Sequence, residues 1–115
     1  MVKIVWTEAS IEDLKEIFDY IAKDSIRYAA ITTNKIYQIA QVNSDKPFIG
    51  RIVPEFNEKL IRELMTDNYR IIYRIKSNIQ VDILRVYHTA RLLKRNKIHF
   101  WLFYQPFANI NMPGL

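Results

Sequence analysis

From Val2 to Trp6 apolar and polar residues alternate loosely, Val2-Lys3-Ile4-Val5-Trp6, and this predicts an opening β-strand. The period then lengthens. Leu14, Ile17, Phe18, Ile21 and Ala22 recur at helical spacing and form one apolar face, while Glu12, Lys15, Glu16 and Asp19 face water. Thr7 or Ser10 stands where a helix cap belongs. Ser10 with Asp13 three residues later has the capping-box form, with Asp in place of Glu or Gln. Asp24-Ser25 breaks this helix and caps a second one, in which Ala29, Thr33, Ile36 and Ala40 share a face flanked by Tyr37 and Ile39. Asn43-Ser44-Asp45 ends it, with Pro47 just beyond. So short a break predicts an antiparallel helical hairpin.

From Leu60 the period becomes two. The alternation predicts strands over Leu60–Met65, Tyr69–Lys76 and Ile79–His88, joined by a turn at Thr66-Asp67-Asn68 and a tight hairpin at Ser77-Asn78. In the middle strand Tyr69, Ile71, Tyr73 and Ile75 point one way, and Arg70, Ile72, Arg74 and Lys76 the other. One face is thus expected to be core and the other basic. Ile83-Leu84 interrupts the alternation of the last strand and predicts a bulge or partial cover on both faces.

The chain of 115 residues is long enough for a single core without covalent staples. It has no cysteine, which excludes disulfides, thiolate metal sites and a thiol nucleophile. His88 and His99 have no carboxylate at ligand spacing, so neither a metal nor another cofactor is expected. The N-terminus lacks a signal-like apolar run, and the longest apolar patch, Ile98 to Phe107, is too short to span a bilayer. A cytoplasmic protein without membrane contact is the expectation. The net charge of +5 is unevenly spread: residues 1–45 carry 5 Lys/Arg against 7 Asp/Glu, and residues 46–115 carry 12 against 5. A basic half on a small domain favours a polyanionic partner, nucleic acid or acidic protein; the alternative is a solvated surface that keeps the chain soluble.

The basic half spaces its arginines, tyrosines and one histidine along what read as consecutive short strands: Gly50-Arg51-Ile52-Val53-Pro54-Glu55, Ile61-Arg62-Glu63-Leu64, Tyr69-Arg70-Ile71-Ile72-Tyr73-Arg74 and Val86-Tyr87-His88-Thr89-Ala90-Arg91. Cleaving RNA through its 2′-hydroxyl needs a base, an acid and cations that stabilise the charged phosphorane. His88 suits proton transfer. Arg51, Arg62, Arg70, Arg74 and Arg91 are candidate phosphate or target contacts, because a guanidinium matches phosphate geometry bidentately. Tyr73 and Tyr87 offer a hydroxyl or a stacking platform. Each has a structural counterpart. His88 can be a hydrogen-bonded strand-end residue, and Tyr69 and Tyr73 are in phase with the core. Arg62 beside Glu63, or Arg85 opposite Glu63 or Asp82, can form a surface ion pair worth ~0–1 kcal/mol. Arg51 near Glu55 can pin the loop around Pro54.

In order and spacing, these pieces resemble the RelE/ParE family of bacterial toxins from type II toxin–antitoxin pairs. The resemblance runs from about residue 3 to 95. It takes in Trp6 in the opening strand, Asp13-Leu14 and Tyr20-Ile21-Ala22 in the first helix, Gly50-Arg51, the hairpin, and the ending His88-Thr89-Ala90-Arg91-Leu92. It implies an α+β fold: a small, mostly antiparallel sheet, made of the N-terminal strand and a C-terminal three-strand meander, covered by the N-terminal helical hairpin. Residues 1–97 form the toxin domain and 98–115 an apolar tail. The resemblance also implies a cognate antitoxin as partner, with operator DNA bound only as the toxin–antitoxin complex. Family members of the RelE kind cut messenger RNA on the ribosome, and those of the ParE kind poison DNA gyrase. Arg70 matches a phosphate-contacting arginine of the first kind, and Arg91 is matched to a second. On that alternative Arg70, His88 and Arg91 would be catalytic. The chain departs from the nuclease pattern, however. It has only Lys59 and Arg62 before the central strand, and Tyr104 is distant from Arg91. The segments Gly50 to Glu55 and His88 to Leu92 look closer to the ParE kind, a growth-inhibiting gyrase poison.

The tail after Lys97 has no formal charge and carries Phe100, Trp101, Phe103, Tyr104 and Phe107. It reads either as a terminal segment packing back over the sheet or as an apolar segment covered by a partner.

Overall fold

The computed structural model describes residues 1–66 and 68–89. Strand β1 (Lys3–Trp6) leads into helices α1 (Glu8–Ala22) and α2 (Ile26–Gln41). A 3₁₀ turn (Val42–Ser44) follows, then β2 (Arg51–Ile52), β3 (Ile61–Thr66), β4 (Tyr69–Ser77) and β5 (Gln80–His88). The sheet order is β1-β5-β4-β3-β2, with β1 parallel to β5 and the other pairs antiparallel. The expected α+β architecture is therefore present, with one strand more than the periodicity identifies. Two residues of β2 are too few to show a period. Both sheet edges are short strands, and Lys3 and Arg51 on them are exposed, which discourages edge-to-edge pairing.

Thr7, in extended backbone conformation, caps α1 by accepting a hydrogen bond from the Ser10 N–H at 3.2 Å. The capping-box expectation for Asp13 is not met, because its carboxylate turns away from the cap and onto β5. Ser25 caps α2 through the Tyr28 N–H at 3.0 Å. Ala29, Thr33, Ile36 and Ala40 are buried on one face of α2, as the spacing predicts, and Tyr37 joins them to stack on Trp6 with ring centroids 6.0 Å apart. These side chains form the main core with Leu14, Ile71, Tyr73, Ile75, Val81, Ile83 and Val86. Each fully buried large aliphatic here contributes ~1.5–3 kcal/mol.

The bulge expected at Ile83-Leu84 is present. Ile72 pairs with Arg85 and Tyr73 with Ile83, so Leu84 is the extra residue. The Thr7 hydroxyl lies 2.8 Å from the Ile83 carbonyl and 3.0 Å from that of Leu84, which ties the start of α1 to this irregularity. A second shift lies between Ile75 and Ser77, and the turn to β5 is at Asn78-Ile79, one residue later than expected.

The expectation of one core face and one open basic face is corrected. Ile72 and Leu84 face away from the helices and join Val53, Phe56, Ile61 and Tyr87 in a second buried cluster. The loop between β2 and β3 folds over this face. Asn57 at its turn has φ 54°, a left-handed conformation that asparagine tolerates better than most residues. The sheet is thus covered on both faces, and a strand buried on both sides cannot present a row of solvated arginines.

Candidate functional site

Over the second cluster, the side chains of Arg51, Glu55, Glu63 and Arg70 meet. Glu63 is in phase with Ile61 on β3, so the pleat carries its carboxylate into the covered face, where the residue is only 1% exposed. A buried carboxylate needs cationic partners. It accepts from Arg70 Nε at 2.5 Å and from Arg51 Nε at 2.6 Å. The rest of the Arg70 fork goes to Glu55, with Nη1 to Oε2 at 2.9 Å and Nη2 to Oε1 at 3.0 Å. Arg70 hydrogen bonds hold the Glu55 carboxyl below its ordinary range, and those from Glu55 and Glu63 push Arg70 upward. The cluster holds as many carboxylates as guanidinium groups, so it is a closed ion network with no net cationic surplus.

The other arginines are tied as well. Arg74 donates to buried Asp82 at 2.9 Å. Arg62 does not pair with Glu63. It donates to the carbonyls of Lys59, Phe48 and Gly50, and its guanidinium sits 4.9 Å from the Phe48 ring centroid. Arg51 pairs with Glu63 rather than Glu55, and Arg70 is what pins the loop around Pro54. Arg85 pairs with neither Glu63 nor Asp82. It forms a two-bonded fork to Asp13, both contacts at 2.7 Å, and the same carboxylate accepts the Val86 N–H at 2.9 Å. Burial pushes the Asp13 carboxyl upward against the opposing effect of these bonds.

Tyr73 is core, as its phase implies, but its hydroxyl is used. It donates to the Pro47 carbonyl at 2.7 Å and accepts the Gly50 N–H at 2.9 Å. Burial pushes this hydroxyl upward. Gly50 is required here by close approach: a Cβ would lie 2.5 Å from the Glu63 carbonyl and 2.6 Å from the Tyr73 hydroxyl.

His88 ends β5 and is exposed, with its ring 5.6 Å from Tyr69 in edge contact. The register pairs Tyr69 with His88 and Arg70 with Tyr87. Directly paired residues share a side of the sheet and neighbours in sequence alternate, so His88 and Arg70 stand on opposite sides. His88 lines a groove with α1, and Tyr87, which also borders that groove, belongs to the second cluster. Arg70 and His88 therefore do not converge on one phosphate. Arg91 and Tyr104 lie outside the described residues.

The sequence offers Glu63 and Glu55 as ion-pair partners of Arg62, Arg85 and Arg51, and Asp13 as a cap; what it passes over is that Arg70 takes both glutamates and that Asp13 takes Arg85. One signal was available: Glu63 alternates in phase with Ile61, and a charge at a core position calls for a counter-charge across the sheet. Among the described residues no group of His, Asp and Glu could hold a metal ion, and no helix is long and apolar enough to cross a membrane.

Comparison with known proteins agrees with this fold. The family model described as "ParE toxin of type II toxin-antitoxin system, parDE" matches residues 4–93. Among solved structures, the chain resembles the "Chromosomal ParDE TA system from P. aeruginosa" with TM-score 0.64 and 21% identity, over 76% of this chain and 96% of that one. It also resembles the toxin–antitoxin complex RelBE2 from Mycobacterium tuberculosis, with TM-score 0.55 and 22% identity over the same shares. No curated protein matches the sequence.

Proposed function

From the premise that the chain belongs to the ParE toxin family of type II toxin–antitoxin systems, we propose that it arrests growth by binding DNA gyrase rather than by cutting messenger RNA. The observation that carries this reading is the state of Arg70. A guanidinium that clamps a scissile phosphate must offer its fork to the ligand. Here the fork is filled by Glu55 and the Nε by Glu63. A phosphodiester arriving there meets the partly exposed Glu55 carboxylate on the fork, and like charges at such distances repel. His88, the candidate proton carrier, stands across the sheet. What this leaves is a scaffold with exposed Lys46, Lys59 and Lys76, suited to contact with an acidic macromolecular surface.

The partner that neutralises the toxin is a cognate antitoxin, since both solved neighbours are toxin–antitoxin assemblies. Binding of operator DNA belongs to that complex rather than to this chain alone.

The test is a pair of assays on the purified full chain. Gyrase supercoiling is expected to fall, with accumulation of cleaved DNA, while primer extension on translated messenger RNA shows no new ends. His88→Ala is expected to remain toxic. Discrete ribosome-dependent cuts that vanish in His88→Ala or Arg70→Lys would overturn the proposal in favour of an endoribonuclease.

A further inference from the structure

On the helix-bearing side of the sheet lies a groove of about 500 Å³, lined by Glu16, Ile17 and Tyr20 of α1 and by Tyr69, Val86 and His88 from the strand ends. Its size is within the range of ~300–1,000 Å³ usual for ligand sites. Its rim is aromatic and open, with Tyr20 73% exposed. Burial pushes the Tyr69 hydroxyl upward, with smaller electrostatic contributions from Tyr28 and Tyr20 in the same direction. The described chain ends at Thr89, whose N–H is bonded to the Asn68 carbonyl at 2.6 Å, directly after His88 of the groove wall. The remaining 26 residues, 90–115, therefore start at its rim.

Their sequence complements the groove in two respects. Residues 90–97 include Arg91, Lys94, Arg95 and Lys97 and no acid, whereas the exposed surface of α1 bears Glu8, Glu12, Glu16 and Asp19 against Lys15 alone, Asp13 being buried and paired with Arg85. Residues 98–107 carry no formal charge and contain Phe100, Trp101, Phe103, Tyr104 and Phe107. The reach is sufficient. Eight residues extend to about 27 Å, while Asp13 to Tyr20 along α1 is about 10 Å.

We propose that the occupant of this groove is the chain's own segment 98–107, with the basic run from Arg91 to Lys97 crossing the acidic surface of α1. The site is then filled in cis, and any partner segment that docks there competes with the tail. This stands independently of whether gyrase is the target.

The absence of natural cysteines makes a direct test available in the full-length chain. Tyr20→Cys is combined in turn with Trp101→Cys, Phe103→Cys or Tyr104→Cys. Met65→Cys, exposed on the opposite face, is the control for each. A disulfide closes only where Cα atoms come within about 7 Å. At least one Tyr20 pairing is expected to close within the chain tenfold faster than its Met65 counterpart, read on non-reducing gels and by mass spectrometry. Glu16→Lys with Asp19→Lys, both exposed, is expected to slow that closure threefold or more. Equal closure at Met65, links only between chains, or no dependence on the two α1 acids would overturn the proposal.

Discussion

Removing the carboxylate of Asp13 tests how the helical hairpin is held to the sheet. Asp13 sends its two oxygens to Nε and Nη2 of Arg85 and also accepts the Val86 N–H, so one side chain fastens α1 to β5. In Asp13→Ala the guanidinium, with its side chain only 15% exposed, loses both bonds to the carboxylate and cannot lose its own charge. Breaking a buried pair in this way costs about 3–5 kcal/mol. For 115 residues that is a fall of about 4 °C in Tm per kcal/mol, or roughly 12–20 °C in all. Arg85→Met should cost less, because the stranded carboxyl can take a proton. Burial already raises its pKa above the ordinary 3.8. A group raised on folding stabilises the fold fully below its unfolded pKa and less as pH climbs through its folded one, so the Arg85→Met deficit should shrink in acid. The double variant Asp13→Leu/Arg85→Met removes both charges and leaves chiefly the Val86 N–H unpaired, about 1–3 kcal/mol. Thermal unfolding followed by circular dichroism reads all four proteins. The reasoning is refuted if the double variant is no more stable than Asp13→Ala, or if the two single variants lose the same amount at every pH.

Three further outcomes follow from the same geometry. Tyr73→Phe leaves the Gly50 N–H and Pro47 carbonyl without their shared partner and should cost about 1–3 kcal/mol in urea unfolding, with faster hydrogen exchange at Gly50. Gly50→Ala forces a Cβ against the Glu63 carbonyl and the Tyr73 ring, and should cost at least the ~1–3 kcal/mol of an overpacked site; an unchanged Tm would contradict it. Glu55→Gln should destabilise the protein at neutral pH. Its carboxyl is held below the ordinary 4.5, so the stability it contributes is present above that value and lost as pH falls through the folded pKa. The gap between wild type and Glu55→Gln should therefore close in acid titrations, and a constant gap would argue against the Arg70 pairing.

Sequence periodicity by itself determined both helices and every strand but the two-residue β2. The 3.6-residue spacing of Leu14, Ile17 and Ile21, and of Ala29, Thr33, Ile36 and Ala40, admits helices with one buried face, and Asp24-Ser25 supplies a break with its own cap. Period-two alternation marked β3, β4 and β5 within a residue or so of their ends, and its failure at Ile83-Leu84 marked the bulge. These signals are local, because helix and strand impose their periods on neighbouring residues. The partners of the charges are not local. Arg85 meets Asp13 across 72 positions and Arg70 meets Glu55 across 15, contacts set by where the hairpin and the β2–β3 loop come to rest. An arginine on a strand has the same alternation whether it faces water or a buried carboxylate. Only the tertiary structure decided that Arg70 is closed by Glu55 and Glu63, that His88 stands on the other side of the sheet, and that a second apolar cluster covers the face expected to be basic.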